Sequence, residues 1–215
     1  MENWLKNYQL YLHNKKFLIT AGIAFLFLIG GIVATYFAIV YATERASNSV
    51  TDIILSNIPV FDVDGIFLFG PVLFWIIIIA YLFAEPKRIP FTFKSVAVFL
   101  FIRSAFISLT HLGPFPSHIQ IDITGILGVF TSGNDLFFSS HTGLPFLMAL
   151  VFWNNKYLRY FCLASSVFFG AVVLLAHLHY SIDVFAAFFI TYGIFHIALK
   201  LFKKDRQFFI NGLET

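Results

Sequence analysis

Long apolar runs alternate with short polar breaks along this chain. The apolar stretches lie at about 17–41, 66–84, 93–110, 142–154, 158–178 and 180–202. A helix needs roughly 20 apolar residues to cross a hydrocarbon core, so the pattern predicts an all-α polytopic membrane protein with six transmembrane helices. The fourth stretch is the shortest and begins inside a polar motif. At about 1.5 Å per residue it covers little more than half a bilayer unless Leu136 to Phe138 or the region of Asn154 extend it. Three parts follow: an N-terminal segment 1–16, a six-span membrane domain 17–202 and a C-terminal tail 203–215.

Charge orients this bundle. Lys6, Lys15 and Lys16 precede the first span, and Lys87, Arg88 and Lys94 lie between the second and third. Lys156 and Arg159 separate the fourth from the fifth, and Lys200, Lys203, Lys204 and Arg206 close the chain. All fall on one side, while the opposite loops hold Arg45 among Glu44, Asp52, Asp62, Asp64, Asp122 and Asp135. The positive-inside rule then predicts cytoplasmic termini. By span parity, His141 and His179 return to the same, non-cytoplasmic face.

Composition excludes other classes. With 59% hydrophobic and 12% charged residues, the chain is far from an ordinary soluble domain, in which about a quarter of residues are charged. Nucleic acid is excluded as a partner, because the basic residues are spread over four juxtamembrane segments and form no stripe. The single Cys162 allows neither an intrachain disulfide nor a thiolate zinc cluster. Asp62 and Asp64 hint at a calcium loop, but the remaining ligand spacing is missing. The long first apolar run follows sixteen mostly polar residues, so it reads as a retained anchor. Paired halves with broken helices, expected of a transporter, are not evident.

The polar breaks carry the chemistry. Ser139, Ser140 and Thr142 flank His141 where the fourth helix should begin, with Pro145 expected in the first turn. Free N–H groups and the positive end of a helix dipole favour a phosphate there. His179 and Asp183 are four residues apart, so on a helix they share a face, with Cβ atoms about 6 Å apart. A carboxylate that takes a hydrogen bond from one ring nitrogen fixes the tautomer and leaves the other free to attack. The expected roles are therefore His179 as nucleophile, forming a phosphohistidine, Asp183 as its orienting base and His141 as general acid. Asp135 is a further candidate, either as a catalytic group or as a cap for the next helix. His177, two residues from His179, points elsewhere but joins the candidates. The mechanism calls for no metal and no other cofactor.

The segments GNDLFFSSHT, Gly133 to Thr142, and HLHYSIDV, His177 to Val184, resemble the two signature motifs of the sphingomyelin synthase family, a branch of the lipid phosphate phosphatase (PAP2) superfamily. The first family motif runs Cys, Gly, Asp, three residues, Ser, Gly, His, Thr; the second is His, Tyr, Thr, one residue, Asp, Val. Asp135, Ser139, His141 and Thr142 match the first, and His179, Tyr180, Asp183 and Val184 the second. RSAFISLTHLGPFP, Arg103 to Pro116, is similar to a third motif with an Arg near the end of a span, followed by Thr, Leu and two prolines. The likeness covers about residues 50–200. Departures are Gly133 and Asn134 for Cys and Gly, Ser140 for Gly, Ser181 for Thr, an extra Gly113, and Leu178 where the family has an acidic residue. Val172 and Val173 stand where general lipid phosphatases have a Ser-Arg pair.

The resemblance implies a PAP2-like six-helix bundle acting on membrane lipids. It would move a phospho-headgroup from a glycerophospholipid to ceramide or diacylglycerol. With water as acceptor the same site would be a phosphatase for phosphatidate or a polyprenyl diphosphate. It adds Tyr180 to the candidates and points to Arg103 as phosphate ligand beside Ser139, Ser140 and Thr142.

Overall fold

The computed structural model describes residues 2–119 and 135–212. Among these, every regular element is helical: α1 (Glu2–His13), α2 (Lys15–Glu44), α3 (Asp64–Ala84), a single 3-10 turn (Pro86–Arg88), α4 (Ile89–Leu109), α5 (Ser140–Val151), α6 (Lys156–Leu175), α7 (Ser181–Leu201) and α8 (Lys203–Asn211). Gly133, Asn134 and Asp122 lie outside the described residues.

Five helices are long and apolar enough to cross a membrane: α2, α3, α4 with the turn before it, α6 and α7. The sixth expected crossing corresponds to α5, which has only 12 residues and spans about 18 Å. The chain around it explains the shortness. It arrives non-helical from Asp135 to Ser139, with Phe137 at φ 104°. It leaves through a turn at Asn155, whose Oδ1 accepts the Leu158 N–H at 3.1 Å and starts α6. Asp135 meets Arg103, six residues before Leu109 at the end of α4, roughly 9 Å inward from that end. At the other end, Arg206 donates to the Val151 carbonyl at 3.0 Å and lies over the Phe91 ring near the start of α4. The non-helical segment and α5 together therefore run between the levels of Arg103 and Phe91 on α4.

Packing follows side-chain size. α2 lies along α4 where Gly31 lets the backbones approach; a Cβ on Gly31 would sit 3.1 Å from Leu100 Cβ. Small residues at such crossings substitute dispersion contacts for the hydrophobic drive that lipid cannot supply. Thr35 Oγ1 and Ser104 Oγ, 3.1 Å apart, add a polar link. α5 is sheathed by α6 and α7, and its Leu147, Met148 and Ala149 are fully buried. The phenylalanines divide between faces: Phe25, Phe69 and Phe189 are exposed, whereas Phe74, Phe91, Phe99 and Phe138 fill the core.

The two terminal helices meet at the basic end. Lys87 Nζ donates to the Ile210 carbonyl at 3.3 Å, and the Tyr11 and Phe208 rings touch at 6.1 Å. The tail is more than the plain end that its sequence suggests. Asp205 is buried and accepts from Lys94 Nζ at 2.8 and 2.9 Å, so a cation near the start of α4 is neutralised by the tail instead of being left costly and unpaired.

At the opposite end, the loops 46–63 and 111–119 form a roof over the turn between α6 and α7. Ser47 N–H donates to the His111 carbonyl at 2.8 Å, Phe61 N–H to Leu175 at 2.9 Å and Ile119 N–H to Ala176 at 3.1 Å. Gly113, extra relative to the family pattern, is required here: a Cβ would collide with the Ser47 carbonyl.

Candidate active site

The first turn of α7 carries the carboxylate of the site. Asp183 is the third residue of that helix, and its Oδ2 accepts from the Tyr180 N–H at 3.1 Å, closing the helix start. The same oxygen lies 3.2 Å from His179 Nδ1. Because a carboxylate only accepts, Nδ1 carries the proton and Nε2 is left as the ring's free base. His179 is buried at 3% exposure and Asp183 at 1%.

α5 delivers His141 to the same place. The Ser139 N–H donates to the Asp183 carbonyl at 3.0 Å, a direct backbone tie between the two motifs. His141, half-buried, stacks on Phe67 of α3 with ring centroids 4.4 Å apart. Pro145 is the sixth residue of α5 and not part of its first turn, so it withholds the N–H that would otherwise bond to the His141 carbonyl. Pro71 does the same to Phe67 in α3.

Several hydroxyls remain open. Ser139 Oγ, Thr142 Oγ1 and His141 Nδ1 are buried without a hydrogen-bond partner, as is Asp183 Oδ1. The leading N–H groups of α5 have no intrahelical acceptors. Such a concentration of unpaired polar atoms is costly in a dry interior unless a ligand completes it.

Arg103 is turned inward, at 1% exposure, and two of its nitrogens are already engaged. Nη2 donates to Asp135 Oδ2 at 2.6 Å and to the Asp135 carbonyl at 2.9 Å; Nε donates to the Phe138 carbonyl at 3.1 Å. Asp135 is thus paired with a guanidinium and does not cap α5, whose N-cap is Ser139. A cavity of about 210 Å³ opens beside this pair, with Arg103, Asp135, Ser140 and His141 at its polar end and Ile32, Leu100, Phe74 and Trp75 along its apolar wall.

His177 and Tyr180 belong to the roof. His177, at φ 54°, places Nδ1 2.7 Å from Ser117 Oγ and its ring edge-on to Phe115. Burial holds its pKa below the ordinary value, against the Ile58 backbone and the Asp52 charge, which raise it. Tyr180 Oη donates to the Gly113 carbonyl at 2.8 Å and accepts from the Val50 N–H at 3.2 Å. Leu178 packs with Phe67, Val172, Val173 and Val184, so an acid at that position would face an apolar cluster.

Sequence reasoning missed two contributors. Phe67 is one of thirty phenylalanines and carries no local signal. Asp52 carried none either, since every non-proline residue offers an N–H and only the fold brings those of Ile54, Leu55 and Ser181 to its carboxylate.

A family model described as PAP2 superfamily C-terminal matches residues 132–200, the stretch that holds α5, α6, nearly all of α7 and both histidine motifs. No curated protein and no solved structure matches. The family match is a likeness confined to this C-terminal part, about a third of the chain.

Proposed function

We propose that the chain is a membrane lipid phosphotransferase of the sphingomyelin synthase-like type, moving a phospho-headgroup from a glycerophospholipid to ceramide or diacylglycerol. One observation carries the reading: the backbone bond from Ser139 to Asp183 brings the His179–Asp183 pair and the start of α5 together around unpaired hydroxyls and the Arg103–Asp135 pair.

His179 Nε2 attacks phosphorus, and the bond from phosphorus to the glycerol oxygen breaks. The departing alkoxide takes a proton from His141, and Asp183 stabilises the positive charge that develops on the His179 ring. In the second half, the acceptor alcohol yields its proton to His141 and attacks phosphorus. The phosphorus–nitrogen bond then breaks and His179 is restored. The hydroxyls of Ser139, Ser140 and Thr142, the α5 N–H groups and the free part of the Arg103 guanidinium hold the phosphoryl oxygens. The apolar wall of the cavity suits a lipid chain. The site faces the non-cytoplasmic side, because the opposite end of the bundle is the basic one.

The test uses purified protein in micelles with headgroup-labelled phosphatidylcholine, with and without ceramide. Label moving into a ceramide product supports transfer. Soluble labelled headgroup or phosphate formed without acceptor makes the enzyme a phosphatase or hydrolase, and label that never moves, with phosphatidate also tried, ends the reading.

A further inference from the structure

Asp52 lies in the roof, outside both histidine motifs, yet it reaches the start of α7, between His179 and Asp183 of the second motif. Its side chain is buried. Oδ2 accepts from the Ser181 N–H, the first of α7, at 2.7 Å. Oδ1 accepts from the Ile54 and Leu55 N–H groups at 2.8 and 3.1 Å. One carboxylate thus closes its own loop turn and the start of α7 at once. A negative charge at a helix N-terminus is also favoured by the dipole. Two residues on is Asp183, and two residues back is His179, so the group held by Asp52 sits at the centre of the relay.

We propose that Asp52 is a positioning residue for the His179–Asp183 pair, acting through the Ser181 N–H to fix the turn at which the imidazole meets its carboxylate. The proposal rests on the phosphotransferase reading for its kinetic consequence. Its geometric content stands apart from that reading. The roof is then part of the catalytic apparatus: loop 46–63 sets the angle between ring and acid, without touching substrate.

Two variants remove the link from opposite sides. D52A deletes the acceptor. S181P deletes the donor while leaving Asp52 intact, and proline suits this position, since it is the first residue of the helix and Tyr180 before it is already extended at ψ 155°. D52N keeps one oxygen and should fall between D52A and the unaltered protein. The assay is transfer from a fluorescent short-chain phosphatidylcholine to ceramide in micelles, with amide hydrogen exchange read over residues 177–184 in the same samples. The expected result is a roughly tenfold fall in kcat for D52A and S181P with KM within about twofold, since ring placement and not lipid binding is disturbed. The amides of the turn should exchange at least about tenfold faster, with α4 unchanged. S181P with unaltered kcat overturns the proposal, as does unaltered exchange in both variants. If the unsubstituted protein turns over no donor, the phosphotransferase reading fails, and exchange in the turn alone upholds or overturns the positioning by Asp52.

Discussion

Arg103 Nη2 and Asp135 Oδ2 stand 2.6 Å apart, with 1% and 11% of the two side chains exposed. The pair joins α4 to the extended strand of chain that leads into α5, and the same guanidinium holds the Phe138 carbonyl. It is therefore the hinge on which the His141 motif hangs.

Removing one partner should expose the difference between pairing and binding. R103M leaves the Asp135 carboxylate buried and uncompensated, and breaking such a pair costs about 3–5 kcal/mol. R103M/D135L, apolar on both sides, should recover most of that stability in thermal unfolding. Its transfer activity should stay at least about 100-fold down, because in the proposed mechanism the phosphoryl oxygens lose a charge-assisted donor. Full recovery of activity in the double variant would reduce Arg103 to a structural clamp.

The two histidines should separate by leaving group. H179A removes the proposed nucleophile and should abolish turnover of every phosphoester, with its unfolding midpoint little changed. H141A removes the proposed proton donor and should lose about 10²–10⁴-fold on a phospholipid. Its loss should be far smaller on p-nitrophenyl phosphorylcholine, whose leaving group needs no proton. Equal losses for H141A on both esters would contradict its role as acid.

The helical bundle was legible in the sequence because hydrophobic length is a direct readout of the membrane. All five long helices fall on apolar stretches, and α5 was already the doubtful one. The His179–Asp183 contact was expected, but not for the reason that holds: His179 stands two residues before α7, so its ring meets the third residue of the helix across the N-cap and not along a helix face. The state of Arg103 was not legible, because its partner Asp135 lies 32 residues away across a connection that no periodicity describes. Pro145 illustrates the limit on boundaries. α5 begins at Ser140, which moves the proline from a tolerated first turn to a position where it frees the His141 carbonyl. The docking of the tail through Lys94 and Asp205 was equally hidden, since charge counting treats both as polar ends of spans.

Gly143 sits where α5 crosses α4 and α7. A Cβ there would come 2.7 Å from Phe99 Cε2 and 2.9 Å from Thr191 Oγ1. Phe99 is fully buried and packed edge-on against Phe138, so its ring cannot swing aside. G143A should cost about 1–3 kcal/mol by overpacking and lower kcat by displacing His141, two residues earlier. F99L/G143A should regain stability, as read by thermal unfolding.

Acid should weaken the roof in two separate windows. His177 has its pKa held below 6.5 by burial, so the unfolded chain binds its proton first and stability falls as pH drops below about that value. Asp52 behaves differently. Burial raises its pKa, but hydrogen bonds from Leu55, Ser181 and Ile54 outweigh this and leave it below 3.8. Its stabilisation is complete above the unfolded carboxylate value and is lost only as pH falls through the still lower folded one. The stability difference between the unsubstituted protein and D52N should therefore be constant from pH 7 to about 4 and shrink below that. His177→Asn, whose side chain tolerates the left-handed φ of this position, should instead flatten the slope that begins near pH 6.5. Urea unfolding across pH 3–8 measures both, and a D52N difference that shrinks already between pH 7 and 5 would show that Asp52 is not held as a carboxylate by those N–H groups.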